Sequence, residues 1–213
     1  MLADGSVGNA RGGKTGEAIV QQLHGRYYEQ VSRANVYSIG CNLTPLSAAT
    51  ILLTASAQPI VGVWNPTTSL VNLVILQAAL TAGINTVSSV APGAYIWASS
   101  VGNTALTVGL TPFNRRTLAA AGSAAKAFSL STASLLTGLT NNVVFLEAAE
   151  FPTACSMLTT TVLAATMTPG VAGVQTFDGS LIVPPGGVLA LLNTVSSVTH
   201  SVSARLMWEE VPV

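Results

Sequence analysis

Between Arg33 and Arg115 the sequence carries no charged side chain. Asp, Glu, Lys and Arg make up only 8% of its 213 residues, against about 25% in an ordinary soluble domain. Basic and acidic residues cancel, so no net field points to bulk electrostatic binding of nucleic acid. The charges are also unevenly spread. Asp4, Arg11, Lys14, Glu17, Arg26, Glu29 and Arg33 all precede residue 36, which leaves 16 − 7 = 9 for the rest of the chain. A lone domain keeps itself soluble with mixed surface charge. A body this poor in charge is expected to hide surface against other subunits, because interface cores are depleted in charge.

Other absences narrow the choice. The longest apolar runs, such as LVILQAAL at 73–80, fall far short of the roughly 20 residues of a membrane-spanning helix. The aromatics recur at no fixed interval and cannot form the two girdles of a transmembrane β-barrel. The opening MLADGSVGNARGG lacks the apolar core of a secretory signal, so none is expected. Two cysteines, Cys41 and Cys155, and two histidines, His24 and His200, form no CxxC or Cys/His cluster, so neither a metal nor another cofactor is expected. The cysteines read as buried thiols, with a disulfide left open.

What is present is a polar, Gly-rich stretch at 1–35, expected to be an extended arm, followed by an apolar, turn-punctuated body at 36–213. The body reads as strands. In SVSARLMW (201–208), Val202, Ala204, Leu206 and Trp208 alternate with Ser201, Ser203, Arg205 and Met207, the period of a half-buried strand. GVLALLN (187–193) follows SLIVPPGG (180–187), two apolar runs joined by a Pro-Pro-Gly-Gly turn. IVGVWN (60–65), LVNLVILQ (70–77), AYIWAS (94–99) and NVVFLE (142–147) are similar blocks, ended by Asn-Pro, Pro-Gly and Asn-Asn pairs. Many short strands between turn signals predict an all-β sandwich or barrel. LVNLVILQ is apolar on both faces, which requires its outer face to be covered by a neighbouring subunit or by the arm. Helix signals are few: RRTLAAAGSAAKAF (115–128) could hold two or three turns, weakened by Gly122, and GEAIVQQLHGRYYEQ (16–30) could form a short helix once docked.

Residues 8–15, GNARGGKT, match the phosphate-loop pattern with Gly8, Gly13, Lys14 and Thr15. Such a loop works because a strand end and a helix start hold backbone amides around the phosphates. Here only MLADGSV precedes it, no αβ alternation follows, and the two aspartates are Asp4 and Asp178, the second in the turn-like FDGS. The stretch therefore reads as tail, with Arg11 and Lys14 available to a partner's acidic surface. His200 lies beside Ser201, yet no GxSxG nucleophile elbow exists. Glu147 and Glu150 are the pair a glycosidase would need, but Pro152 follows them closely and a solvated rim explains them as well.

Two tracts remain as partner-contact candidates. HGRYYEQVSR (24–33) sets Tyr27 and Tyr28 among Arg26, Arg33 and Glu29, the residue types that dominate binding hot spots. It reads equally as a first strand covering the body's own edge. Arg115 and Arg116 form the only basic pair of the body, suited to a subunit seam or a carboxylate and too small a patch for nucleic acid.

GRYYEQVSRANVYSIG (25–40), LIVPPGGVLALLN (181–193) and HSVSARLMWEEV (200–211) together resemble virion structural proteins of tailed bacteriophages, and more narrowly the small jelly-roll proteins that decorate or cement their capsids. The resemblance implies a jelly-roll β-sandwich, often a homotrimer, bound to the major capsid protein or another virion protein outside the shell. It implies no enzyme activity; charge balance and run lengths, not the resemblance, set aside nucleic-acid and membrane partners. A head or tail fibre that binds receptors, a shell-forming coat protein and a virion-borne glycan hydrolase using Glu147 and Glu150 are the alternatives. A coat that packages genome by charge carries a strongly basic arm, whereas this one has a net of 4 − 3 = +1.

Overall fold

The computed structural model describes residues 26–46, 59–84, 95–106, 110–129, 139, 145–151, 168–193 and 197–213. A short helix, α1 (Tyr28–Ser32), precedes the strands β1 (Val36–Leu46), β2 (Val61–Trp64), β3 (Val71–Ile84), β4 (Tyr95–Ser100) and β5 (Phe113–Asn114). Then come β6 (Lys126–Ser129), β7 (Phe145–Ala148), β8 (Thr168–Val183), β9 (Val188–Asn193) and β10 (Ser197–Pro212). They form two antiparallel sheets, ordered β5-β1-β10-β3-β8 and β6-β2-β9-β4-β7. The fold is all-β.

The alternation read in 201–208 sets the core. Val202, Ala204, Leu206 and Trp208 of β10 point inward beside Tyr37, Ile39 and Cys41 of β1, with Tyr37 opposite Trp208 and Ile39 opposite Leu206. Val61, Val63, Trp97, Ala127, Leu189 and Leu191 meet them from the second sheet. Each fully buried Leu or Ile contributes about 1.5–3 kcal/mol. β9 is buried on both faces because the second sheet has an apolar outer side as well. There Trp64, Phe128, Val188, Ala190 and Leu192 pack with Leu106 and Leu139, which lie outside the strands. Gly62 makes that packing possible: a Cβ there would stand 2.2 Å from the Phe128 ring and 2.6 Å from the Leu189 carbonyl oxygen.

LVNLVILQ has apolar residues on both faces of β3, and its inward face changes partway along. The register slips between Ile75 and Gln77, so the core-facing positions pass from Leu73 and Ile75 to Ala78, Leu80 and Ala82, while Leu76 packs in a separate outer cluster. Opposite the slip, pairing on β8 jumps from Leu181 to Thr176, extruding Phe177–Ser180. Asp178 and Gly179 take φ of +51° and +85° in that bulge, where Asp and Gly are the tolerated residues. Asn65 ties one end of the sandwich together. Its Nδ2 donates to the Val71 and Val183 carbonyls at 2.9 and 3.0 Å, and its own carbonyl accepts from Gly186 N at 2.7 Å.

Two expectations are corrected. Residues 115–128 do not form a helix. Leu118 and Gly122 have positive φ, the Asn114 side chain accepts from the amides of Arg116 and Thr117, and Glu210 accepts from the amides of Ala124 and Ala125. The segment leads instead into β6. Nor are residues 26–35 part of an extended arm or a first strand. Tyr27 and Val31, one helical turn apart, pack with Val36, Leu76 and Met207, so this stretch folds as α1 onto the outer face of the first sheet. It covers the apolar face that the sequence required to be covered. Residues 1–25 lie outside the described residues.

Candidate interaction surfaces

α1 presents the first surface. The Tyr27 hydroxyl donates to Asp178 Oδ1 at 2.6 Å, and Arg26 donates to Asp178 Oδ2 while its guanidinium stands 5.7 Å from the Tyr27 ring centre. Partial burial, then the neighbouring Asp178 carboxylate, push the Tyr27 phenol pKa upward. Arg33 pairs with Glu29 at 2.8 Å within the helix. Thus three of the candidates from 24–33 are engaged inside the chain, and Tyr28 is half exposed on the outer side. Arg11, Lys14 and the rest of GNARGGKT lie outside the described residues, as do His24 and Cys155.

The second surface is the edge formed by β5 and the 115–125 loop. Asn114 holds it by donating to the Ala34 carbonyl at 2.7 Å, while Arg115 N donates to the Val36 carbonyl at 2.8 Å. Glu210 clamps the far end of the loop, accepting from the Ser123 hydroxyl at 2.5 Å. An open groove of ≈ 480 Å³ runs beside this edge along β1 and β10, with Phe113, Arg115, Leu118 and Arg205 on its walls. Arg205 donates to Gln77 Oε1 on β3. Burial and the nearby Arg115 charge both lower its pKa. Phe113 and Leu118 are exposed apolar side chains on the same edge.

The acidic candidates lie on the opposite edge. Glu147 and Glu150 are exposed, on β7 and just after it. Gln175 of β8 fixes this edge: its Oε1 accepts from Trp97 Nε1 at 2.8 Å and from Glu150 N at 3.1 Å. Gln175, Arg205 and Lys126 carry no sequence signal that singles them out, and for Asp178 only the FDGS turn pattern does. His200 pairs with Ile84 in the sheet register, far along the chain from both glutamates. Among the described residues no three His, Cys, Asp or Glu side chains come together, and no helix is long and apolar enough to cross a membrane.

Neither a family model, nor a curated protein, nor a solved structure matches this chain.

Proposed function

We propose that the chain is a structural component of a bacteriophage virion, a capsid decoration or cement protein built on a jelly roll. The observation that carries the reading is the strand order. Leaving out the short β5 and β6, the sheets run β1-β10-β3-β8 and β2-β9-β4-β7. Two interleaved four-stranded sheets in which the first strand pairs with the last support the double Greek key of jelly rolls, which recur in viral capsid and lectin domains. Charge supports a structural role: few charged side chains, and an outer face of the second sheet sealed by the chain's own residues.

In this reading the segment before α1 attaches the protein to the shell. α1 fixes its point of departure on the outer face of the first sheet. Arg11, Lys14 and Tyr28 are the contact residues, and the partner is the major capsid protein or another virion protein. The slight basic excess before residue 36 favours decoration over a genome-packaging coat.

Quantitative mass spectrometry of purified particles tests the reading, coupled to imaging after the protein is stripped by mild chaotrope. Hundreds of copies, with the emptied shells still closed, support decoration. A few dozen copies would indicate a fibre or vertex part, and shells that dissolve with it would indicate the coat. Deleting residues 2–24 should leave far-ultraviolet dichroism unchanged and lower occupancy on particles.

A further inference from the structure

Every charged residue after position 35 lies within the described residues, so each can be followed to its partner. Asp178 is taken by Arg26 and Tyr27. Glu210 clamps the 123–125 amides. Glu209 faces Arg33, and Arg205 is bound to Gln77. Five charges remain with no ion pair among the described residues: Arg115, Arg116 and Lys126 on one side, Glu147 and Glu150 on the other.

These five are sorted by edge. β5 and β6 are the terminal strands of their two sheets, and they lie together: Leu110 bridges to Ala127, and the Tyr37 hydroxyl reaches the Gly122 carbonyl. β7 and β8 terminate the sheets on the far side, joined through Gln175. One lateral edge of the sandwich therefore carries three positive charges beside the single Glu210 carboxylate, which is engaged by the 123–125 loop, and the other edge carries two negative charges. Each edge also exposes apolar side chains, Phe113 and Leu118 on the basic one, Val174 and Ile182 on the acidic one. Glu147 sits opposite Trp97, whose ring is fully buried in the core. By the pleat it stands on the same face, at the mouth between the sheets.

We infer that copies of this chain associate side by side, the β5/β6 edge of one against the β7/β8 edge of the next, with Arg115 and Arg116 meeting Glu147 and Glu150. Opposite charges on opposite edges of one subunit make a head-to-tail contact, which closes into a ring or runs on as a filament. Complementary charge sets register and partner choice, and the exposed apolar residues supply burial once the edges meet. The inference rests on the reading of the chain as an assembling virion component and names the surface by which it assembles.

Light scattering and sedimentation of the full-length chain test it, with circular dichroism as the folding control. The wild type should have a mass that is a multiple of 21.7 kDa. Arg115→Glu/Arg116→Glu and Glu147→Arg/Glu150→Arg should each fold and associate about a hundredfold more weakly or worse, because like charges now face each other. The four substitutions combined restore complementarity with reversed polarity and should restore the oligomer. A monomeric wild type, reversal variants that associate normally, or a combined variant that folds and stays monomeric would each overturn the inference. Copy number on particles is read separately, so a failed edge contact leaves the decoration reading standing.

Discussion

The Tyr27 hydroxyl and the Asp178 carboxylate, 151 residues apart, are joined at 2.6 Å. One residue leads into α1, and the other sits in a bulge of the edge strand β8. The pair fastens the helix to the sheet it covers. Because Arg26 is largely exposed and Asp178 partly so, their ion pair contributes little, about 0.2–1 kcal/mol. Tyr27→Phe should cost about 0.5–1.5 kcal/mol, read by urea unfolding, and should speed tryptic cleavage after Arg33. Asp178→Asn tolerates the positive φ and keeps an acceptor, so it should loosen α1 less than Asp178→Ala. Tyr28→Ala should leave stability within about 0.5 kcal/mol and lower occupancy on particles.

Gly62 should accept no side chain. Its Cβ position lies inside the Phe128 ring envelope and against the backbone of β9, a strand that cannot retreat. Gly62→Ala is expected to destabilise by about 1–3 kcal/mol through overpacking, lowering Tm by about 2–4 °C per kcal/mol in a thermal melt.

Gln175→Leu removes one acceptor and orphans two donors, the buried Trp97 Nε1 and the Glu150 amide. Each unsatisfied buried donor costs about 1–3 kcal/mol. The Trp97 donor is fully buried and the Glu150 amide only partly so, so most of the loss should come from Trp97 Nε1, and denaturant titration of Gln175→Leu measures it.

Glu209 gives a pH dependence. Burial raises its carboxyl pKa, with the Arg33 charge opposing in part. A raised folded-state pKa means the protonated form is favoured by folding. Stability from this group is full below the ordinary carboxylate value and is lost as pH rises through the folded value. Glu209→Gln should therefore be more stable than wild type at neutral pH, and the difference should vanish in acid. Thermal melts across pH 3–8 measure it, those bounds lying about one unit below and about four units above a typical glutamate.

The strands were legible where hydrophobic period and turn chemistry agreed. Val202 to Trp208 alternate without interruption, and Pro184 to Gly187 turn where two apolar runs meet, so β9, β10 and the last residues of β8 could be read directly; the rest of β8 could not, because Pro169-Gly170 and FDGS carry turn signals inside it. The slip at Leu76 could not, because a change of inward face from Ile75 to Ala78 leaves no mark in a run that is apolar at nearly every position. The helical promise of 115–128 failed for a tertiary reason: Asn114 and Glu210 claim the amides a helix would use, and no local propensity reveals a carboxylate 86 residues away. Tyr27 and Arg26 stand out in the sequence as contact residues, and in the fold both bond to Asp178 of the same chain, a pairing no local pattern reveals. Arg115 and Arg116 stood out as a pair, but the meaning of their position depends on β5 being an edge, which is a property of topology.

β1 finds its main partner only in β10: Cys41 and Ala204, paired in the sheet, are 163 residues apart. During synthesis the first strand must therefore wait until β10 has left the ribosome, an interval of about ten seconds or more at typical elongation rates. For that time Val36, Ile39 and Cys41 have no sheet to join, and loop closure over such a distance delays the pairing further. α1 has the same wait, since Met207 and Asp178, which it packs on and bonds to, also lie late in the sequence. The protein's vulnerable period is its birth, when a strand that closes the finished sandwich is exposed to every neighbour being made beside it.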